Sequence, residues 1–288
     1  NNYMLNSELV VLTASIERLG SVIWVGGQEG NWFDPINWAG GAVPDASNVA
    51  NVTIPEAITV NFDPENSATT TDSFIPVNVD SLVVEGNLIQ SNGTLQVGAG
   101  GMSVNNFVQT GGQHSIEGTF TANTLEQSAG SIEAQQQFVV SESFNQNSDG
   151  TIIVAGSALI EDGNADTQIG NIQVENDLAL SSDGEVTQAA NTTIDVAGET
   201  VINAVSNDDE RFDVTLTSAT NDFQGGVTVA SNNLDIVDIN ELNITLDVSE
   251  NSTSVAGGDL FVTGETGTLT TTTSQGGSTE FGELSVAG

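Results

Sequence analysis

The sequence predicts an all-β fold: a three-sided parallel β-helix of about 19 residues per rung, preceded by a tryptophan-rich capping unit. Three observations carry this prediction: a segment that recurs on a fixed beat, apolar residues at strand spacing, and a composition poor in helix formers. The recurring segments are Leu88-Ile89-Gln90-Ser91-Asn92-Gly93, Phe107-Val108-Gln109-Thr110-Gly111-Gly112, Leu125-Glu126-Gln127-Ser128-Ala129-Gly130 and Phe144-Asn145-Gln146-Asn147-Ser148-Asp149-Gly150, whose first residues lie 19, 18 and 19 positions apart. Each opens on a large apolar residue, places Gln two residues later, and turns through small or polar residues to Gly. A fixed period near 20 with strand-like content marks a solenoid, whose units are stable only when stacked on their neighbours. Helix fits poorly, because Gly, Ser, Thr and Asn are too frequent and no 3.6-residue stripe persists.

Taken in order, residues 1–20 read as a linker or as a segment that pairs with a neighbouring subunit. Ser7 to Leu19 fits a short helix capped by Ser7 and stopped at Gly20, or an added strand with Leu9 to Leu12 as its apolar run. Residues 21–76 form the capping unit. All three tryptophans, Trp24, Trp32 and Trp38, sit there among Gly and Asn residues that mark tight turns. An aromatic cluster of this kind can plug the open end of a solenoid, which otherwise exposes a strand edge and its core. Residues 63–76 read as a loop.

Residues 77–288 form the rod. Val77 to Val84 alternates at period two, as a half-buried strand does. Three short inward stretches follow per unit, and the texture persists beyond residue 162 through Ile172-Gln173-Val174, Val186-Thr187-Gln188 and Val227-Thr228-Val229 to Leu284-Ser285-Val286. Roughly ten rungs at the ~4.8 Å strand spacing make a rod about 50 Å long. In-register rungs would align Gln90, Gln109, Gln127 and Gln146 as an amide ladder.

Composition narrows the function classes. Acidic residues number 39 against two arginines, Arg18 and Arg211, which gives a net charge of -37. No basic stripe can be assembled, which argues against nucleic acid and against anionic membrane surfaces. Such charge opposes compaction unless salt or bound cations screen it, so a salty or calcium-containing exterior is expected. The chain has no cysteine, which excludes disulfides and thiolate chemistry. No apolar run is long enough to insert in a membrane as a helix. The start at Asn1-Asn2 reads as an internal or processed piece of something longer.

Candidate sites are sparse. Asp162-Gly163-Asn164-Ala165-Asp166 has the D-x-N-x-D spacing that can direct oxygens to one calcium ion. Thr167 and Gln173 stand where an EF-hand needs Gly and Glu, so it is not one, and a solvated loop is the alternative. Asp208, Asp209, Glu210 and Asp213 make a second acidic cluster that Arg211 could bridge. Trp24, Trp32 and Trp38 read as a buried end cap, with stacking on glycan rings as the alternative. His114, the sole histidine, is expected to face outward and be solvated. No nucleophile elbow, metalloprotease motif or phosphate loop is present, so no catalytic residue is expected.

The segment from Trp24 to Pro44 resembles the W-x-G-G-x-x-G-N-W…N-W-x-G-G-x-x-P motif of large bacterial surface proteins. Val214 to Val229 is similar to repeats of filamentous-haemagglutinin-like adhesins and autotransporter-type passengers. The resemblance implies a right-handed parallel β-helix displayed outside the cell, at the bacterial surface or in a matrix. The expected function is therefore a non-enzymatic structural segment of an adhesin or filament, with calcium as the cofactor the sequence suits. Its expected partners are neighbouring copies or further repeats of the same protein, with cell-surface glycans and host or matrix receptors beyond them. The alternative is a carbohydrate-binding or carbohydrate-cleaving β-helix, where two carboxylates would suffice for hydrolysis.

Overall fold

The computed structural model describes residues 17–66, 76–163, 166–274 and 276–287. Among these, 26 strands join in one parallel sheet wound into a β-solenoid of about 11 turns, with about 19 residues per turn. Alternation at period two sends one set of side chains into the coil and the other to solvent, and the inward set is mainly apolar with polar residues at particular positions.

Three inward columns define three faces. On the first, Leu82, Met102, Phe120, Phe138, Ala158 and Leu178 are successive partners. On the second, Val60, Leu88, Phe107, Leu125 and Phe144 follow one another. On the third the column runs Leu95, His114, Ile132, Ile152, Ile172 and Ile194. Phenylalanines pack ring to ring inside the coil: Phe120 and Phe138 stack with ring centroids 5.0 Å apart, and Phe138 meets Phe144 edge-on at 6.5 Å. Burying each such ring contributes about 1.5–3 kcal/mol.

The expected amide ladder is present and lies inside the core. Gln109 Nε2 donates to Gln90 Oε1 at 3.2 Å, Gln127 to Gln109 at 2.8 Å and Gln146 to Gln127 at 3.0 Å. Each amide also donates to a backbone carbonyl, as Gln127 does to Gly130 and Thr151. The ladder closes where the backbone N–H of Gly170 donates to Gln146 Oε1 at 2.9 Å. The glycines that end each repeat have a steric reason. Gly112 and Gly130 both turn with positive φ, and a Cβ at Gly130 would crowd the Gly112 carbonyl oxygen of the turn before.

The strands of residues 21–62 are themselves the first turns of the coil. Leu19–Ile23 pairs with Val49–Ile54 and Glu29–Asn31 with Thr59–Phe62, both in parallel. Toward the other end the cross-section changes. Strands from Ala158–Asp162 to Val214–Leu216 pair with the third strand after them. From Gly226–Ser231 onward each pairs with the second, so a turn contributes two strands instead of three. The core thins there: Ser252 and Ser254 take inward positions, and Phe281 and Val286 are half exposed.

Outward columns differ in charge. On the first face Val83, Ser103, Thr121, Val139, Leu159, Ala179, Val201, Thr228, Thr245 and Thr263 are successive partners, and none is ionisable, while a second outward column on the same strands runs Glu161, Ser181, Asn203, Ala230, Asp247 and Glu265. The outward column of the third face carries Glu133, Asp195 and Asp222, and that of the second carries Glu126 and Asp235.

Candidate functional site

The tryptophan unit is a closed aromatic box. Trp38 packs edge-on against Trp24 and Trp32 at centroid distances of 5.0 and 4.8 Å, and its Nε1–H donates to the Trp32 carbonyl. Trp24 Nε1–H donates to the Gly27 carbonyl at 2.9 Å. Trp32 rests on Phe62 of the next turn. Trp24, Trp32 and Trp38 are 4%, 0% and 1% exposed. Burial of this order leaves no indole face for a sugar ring, which corrects the glycan-stacking alternative for these three residues. Gly26 and Gly30 permit it, because a side chain at either would collide with Asn37.

The predicted calcium loop is also arranged differently. Asp162 is 2% exposed, and its Oδ2 accepts the backbone N–H of Phe144 at 3.1 Å, so it serves the strand of the neighbouring turn from inside the coil. Asp166 Oδ1 accepts the backbone N–H of Glu185 at 2.9 Å. Asn164 lies outside the described residues. Among the described residues no three His, Cys, Asp or Glu side chains converge as a metal-binding group. In the second acidic cluster Arg211 does not act as the bridge. Its guanidinium reaches across turns to the Asp247 side chain at 2.8 Å and to the carbonyls of Asp247 and Ser231. Asp213 instead accepts from Asn232 and Asn233. Burial pushes its carboxyl up, but those hydrogen bonds outweigh it and hold the group below the usual range.

His114 is the clearest departure from expectation. It is 1% exposed in the third-face column between Leu95 and Ile132, edge-on to Phe107 at 4.8 Å. Neither ring nitrogen has a hydrogen-bond partner. Burial lowers its pKa to about 3, so the ring is neutral in ordinary conditions. Its placement follows from strand parity, since Ile116 two residues later also points inward.

Solvent-facing features that could hold a ligand are few. An open cleft of ≈ 480 Å³ lies where the Pro55–Ile58 turn overhangs the first face, lined by Glu56, Glu85, Ser103, Asn105, Asn123 and Val83 among others. Gly86 lets that turn approach, because a Cβ there would meet the Ile58 and Pro55 carbonyls. Asn123 Nδ2 donates to Asn105 Oδ1 at 2.8 Å, continuing an amide contact between turns into the cleft. Two carboxylates and two amides there can accept and donate to hydroxyl groups, and neither an aromatic nor a basic residue lines it. On the third face Asp195 and Asp222 stack in register, with Gln224 Nε2 donating to both. Burial, then the Asp222 charge, raises the Asp195 pKa. Asp238 is raised chiefly by burial while accepting the backbone N–H groups of Phe223 and Asn240.

Residues 155–230, less than half of the chain, match a family described as repeats of unknown function (DUF5649). That stretch covers the turns in which the coil leaves the glutamine ladder and approaches its change of cross-section. No curated protein matches the chain. No solved structure matches it either.

Proposed function

We propose that this chain is a stiff, acidic spacer: a non-enzymatic structural segment of an extracellular bacterial adhesin or matrix filament. The observation that carries the reading is the unbroken parallel stacking, in which each turn is hydrogen-bonded to the next and a single core runs through all of them. Such a body resists bending and extends in proportion to the number of its turns. The net charge of -37 and the absence of cysteine suit a soluble exterior segment. The adhesin assignment draws on the likeness of the Trp24 to Pro44 motif to bacterial surface proteins. Calcium, where present outside the cell, would act here as a screening counterion to the acidic columns.

The runner-up is a carbohydrate-binding β-helix, favoured by the Glu56, Glu85, Asn105 and Asn123 cleft. Screening the chain on a glycan array and incubating it with neutral and acidic polysaccharides separates the two. A spacer neither retains nor cleaves any of them, and stretching by force spectroscopy gives high-force, turn-by-turn rupture. Specific retention abolished by Asn105→Ala, or release of oligosaccharides, would overturn the spacer reading.

A further inference from the structure

We propose that Asn92 is a self-modifying site: its side-chain amide is lost spontaneously to attack by the Gly93 nitrogen, and the isoaspartate that results loosens the head of the glutamine ladder. Asparagine is among the thermolabile side chains, and of all those in the chain only Asn92 is followed by glycine. The pair forms the turn between Ser81–Gln90 and Thr94–Val97, and both residues are partly open to solvent. The Gly93 amide belongs to neither strand and donates to Asn92 Oδ1 at 2.7 Å, so the nucleophile already lies within reach of the carboxamide it attacks. No Cβ shields that nitrogen. The fold itself demands this, because Gly93 turns with a φ of 80° and a Cβ there would crowd Phe62 and Pro64 of the previous turn. Other amides are better protected. Asn106, Asn123 and Asn221 are hydrogen-bonded to neighbouring turns and followed by Phe107, Thr124 and Asp222.

The chemistry balances with water as the sole co-reactant. The Gly93 nitrogen bonds to Asn92 Cγ as the Cγ–Nδ2 bond breaks, and the amide leaves as ammonia, carrying off the proton that the Gly93 nitrogen gives up. A succinimide ring remains. Water opens it at Cγ to give aspartate, or at the main-chain carbonyl to give isoaspartate, whose backbone runs through Cβ and Cγ and is longer by a methylene. That extra length matters because this turn holds the first anchor of the ladder. Gln90 Nε2 donates to the Gly93 and Asn92 carbonyls at 3.1 and 3.5 Å. The following turn rests on the same spot, with the Gln113 N–H donating to the Gly93 carbonyl at 2.9 Å. Space there is tight enough that a Cβ on Gly112 would stand 2.7 Å from the Gly93 carbonyl oxygen. The inference stands apart from the spacer reading, since it follows from local bond chemistry whatever the rod is for.

The test is to age the whole folded chain at about 37 °C and follow every asparagine by peptide mass spectrometry, with isoaspartate read by enzymatic methyl transfer to its carboxylate. The peptide holding Asn92 is expected to gain the mass difference between amide and acid at least tenfold faster than any other. It should do so faster at pH 8.5 than at pH 7, because the attacking nitrogen must shed its proton. Isomerisation at Asp149-Gly150, Asp162-Gly163 and Asp183-Gly184 leaves the mass unchanged and does not interfere. The aged chain should unfold at lower urea, whereas aged Asn92→Ser should keep the midpoint it had when fresh. Fresh Asn92→Asp, which carries the charge on an ordinary backbone, should lie closer to the fresh wild type than the aged chain does. Conversion no faster at Asn92 than elsewhere, or confined to urea-unfolded chain, overturns the site. An aged chain as stable as a fresh one, or an equal loss in aged Asn92→Ser or fresh Asn92→Asp, overturns its effect on the ladder.

Discussion

Replacing His114 by leucine isolates one buried group whose protonation the fold opposes. Its folded-state pKa is about 3 against 6.5 for an unperturbed histidine, and burial is the cause. Between those values the unfolded chain binds a proton that the folded chain refuses, so stability is full above the unfolded pKa and falls as pH drops toward 3. At pH 4 the difference of 6.5 minus 4, at about 1.36 kcal/mol per unit, costs the folded state about 3 kcal/mol. Leucine suits the column, which has Leu95 before it and Ile132 after it. It also removes two unpartnered ring nitrogens, for a pH-independent gain of about 1–3 kcal/mol. Urea unfolding of both proteins from pH 7.5 to 4 is the assay. Carboxylate titration alters both curves alike, so only their difference matters. That difference should be constant above pH 7 and widen as pH falls, approaching a slope of about 1.36 kcal/mol per unit below pH 6. Parallel curves through pH 4 would refute a neutral, buried His114.

Gln127→Leu should lower urea stability by about 2–4 kcal/mol, because Gln109 Oε1 and the Gly130 and Thr151 carbonyls all lose a donor. Gln127→Glu should be worse at pH 7 and partly recover on acidification, as the protonated acid regains one donor; a pH-independent loss would contradict the ladder. Trp38→Ala should cost about 3–5 kcal/mol and open residues 24–44 to limited proteolysis, read by mass spectrometry; unchanged digestion would place the ring outside the box. Gly130→Ala should destabilise by at least about 1 kcal/mol, since positive φ and the Gly112 carbonyl both oppose a Cβ, and a neutral melting temperature would count against that geometry.

How much of this was legible depended on whether a feature repeats. The four Gln segments announced both the coil and its ladder, because identical spacing forces identical placement once turns stack. His114 was misjudged by residue type, although parity with Ile116 and its position seven residues beyond Phe107 held the answer. Asp162 was misread for a similar reason: a D-x-N-x-D string records spacing along the chain, while burial is decided by the strand it continues, Ala158–Asp162. The tryptophan motif gave turns and clustering but could not say which way the rings face. The change from three strands per turn to two, near residue 226, left no mark in the sequence beyond the weakening of the beat. The uncharged first-face column becomes visible only after every turn is in register.

The ladder also explains how register is chosen among near-equivalent stackings. A slip of one residue between turns would turn the apolar set to solvent. A slip of two keeps every side chain on its side yet sets Gln127 against Phe107 and leaves its amide unpaired in a dry interior, at a cost of about 1–3 kcal/mol per orphaned group. Val, Ile and Leu in the same column penalise such a slip far less, because one apolar neighbour replaces another. Where the glutamines stop, another amide lock takes over. Gln188 and Asn221 exchange paired hydrogen bonds at 2.7 and 2.9 Å across successive turns. Buried amides are thus placed where the irregular middle of the coil would otherwise be free to shift, and in a rod whose turns touch only their neighbours each lock fixes the register of everything beyond it.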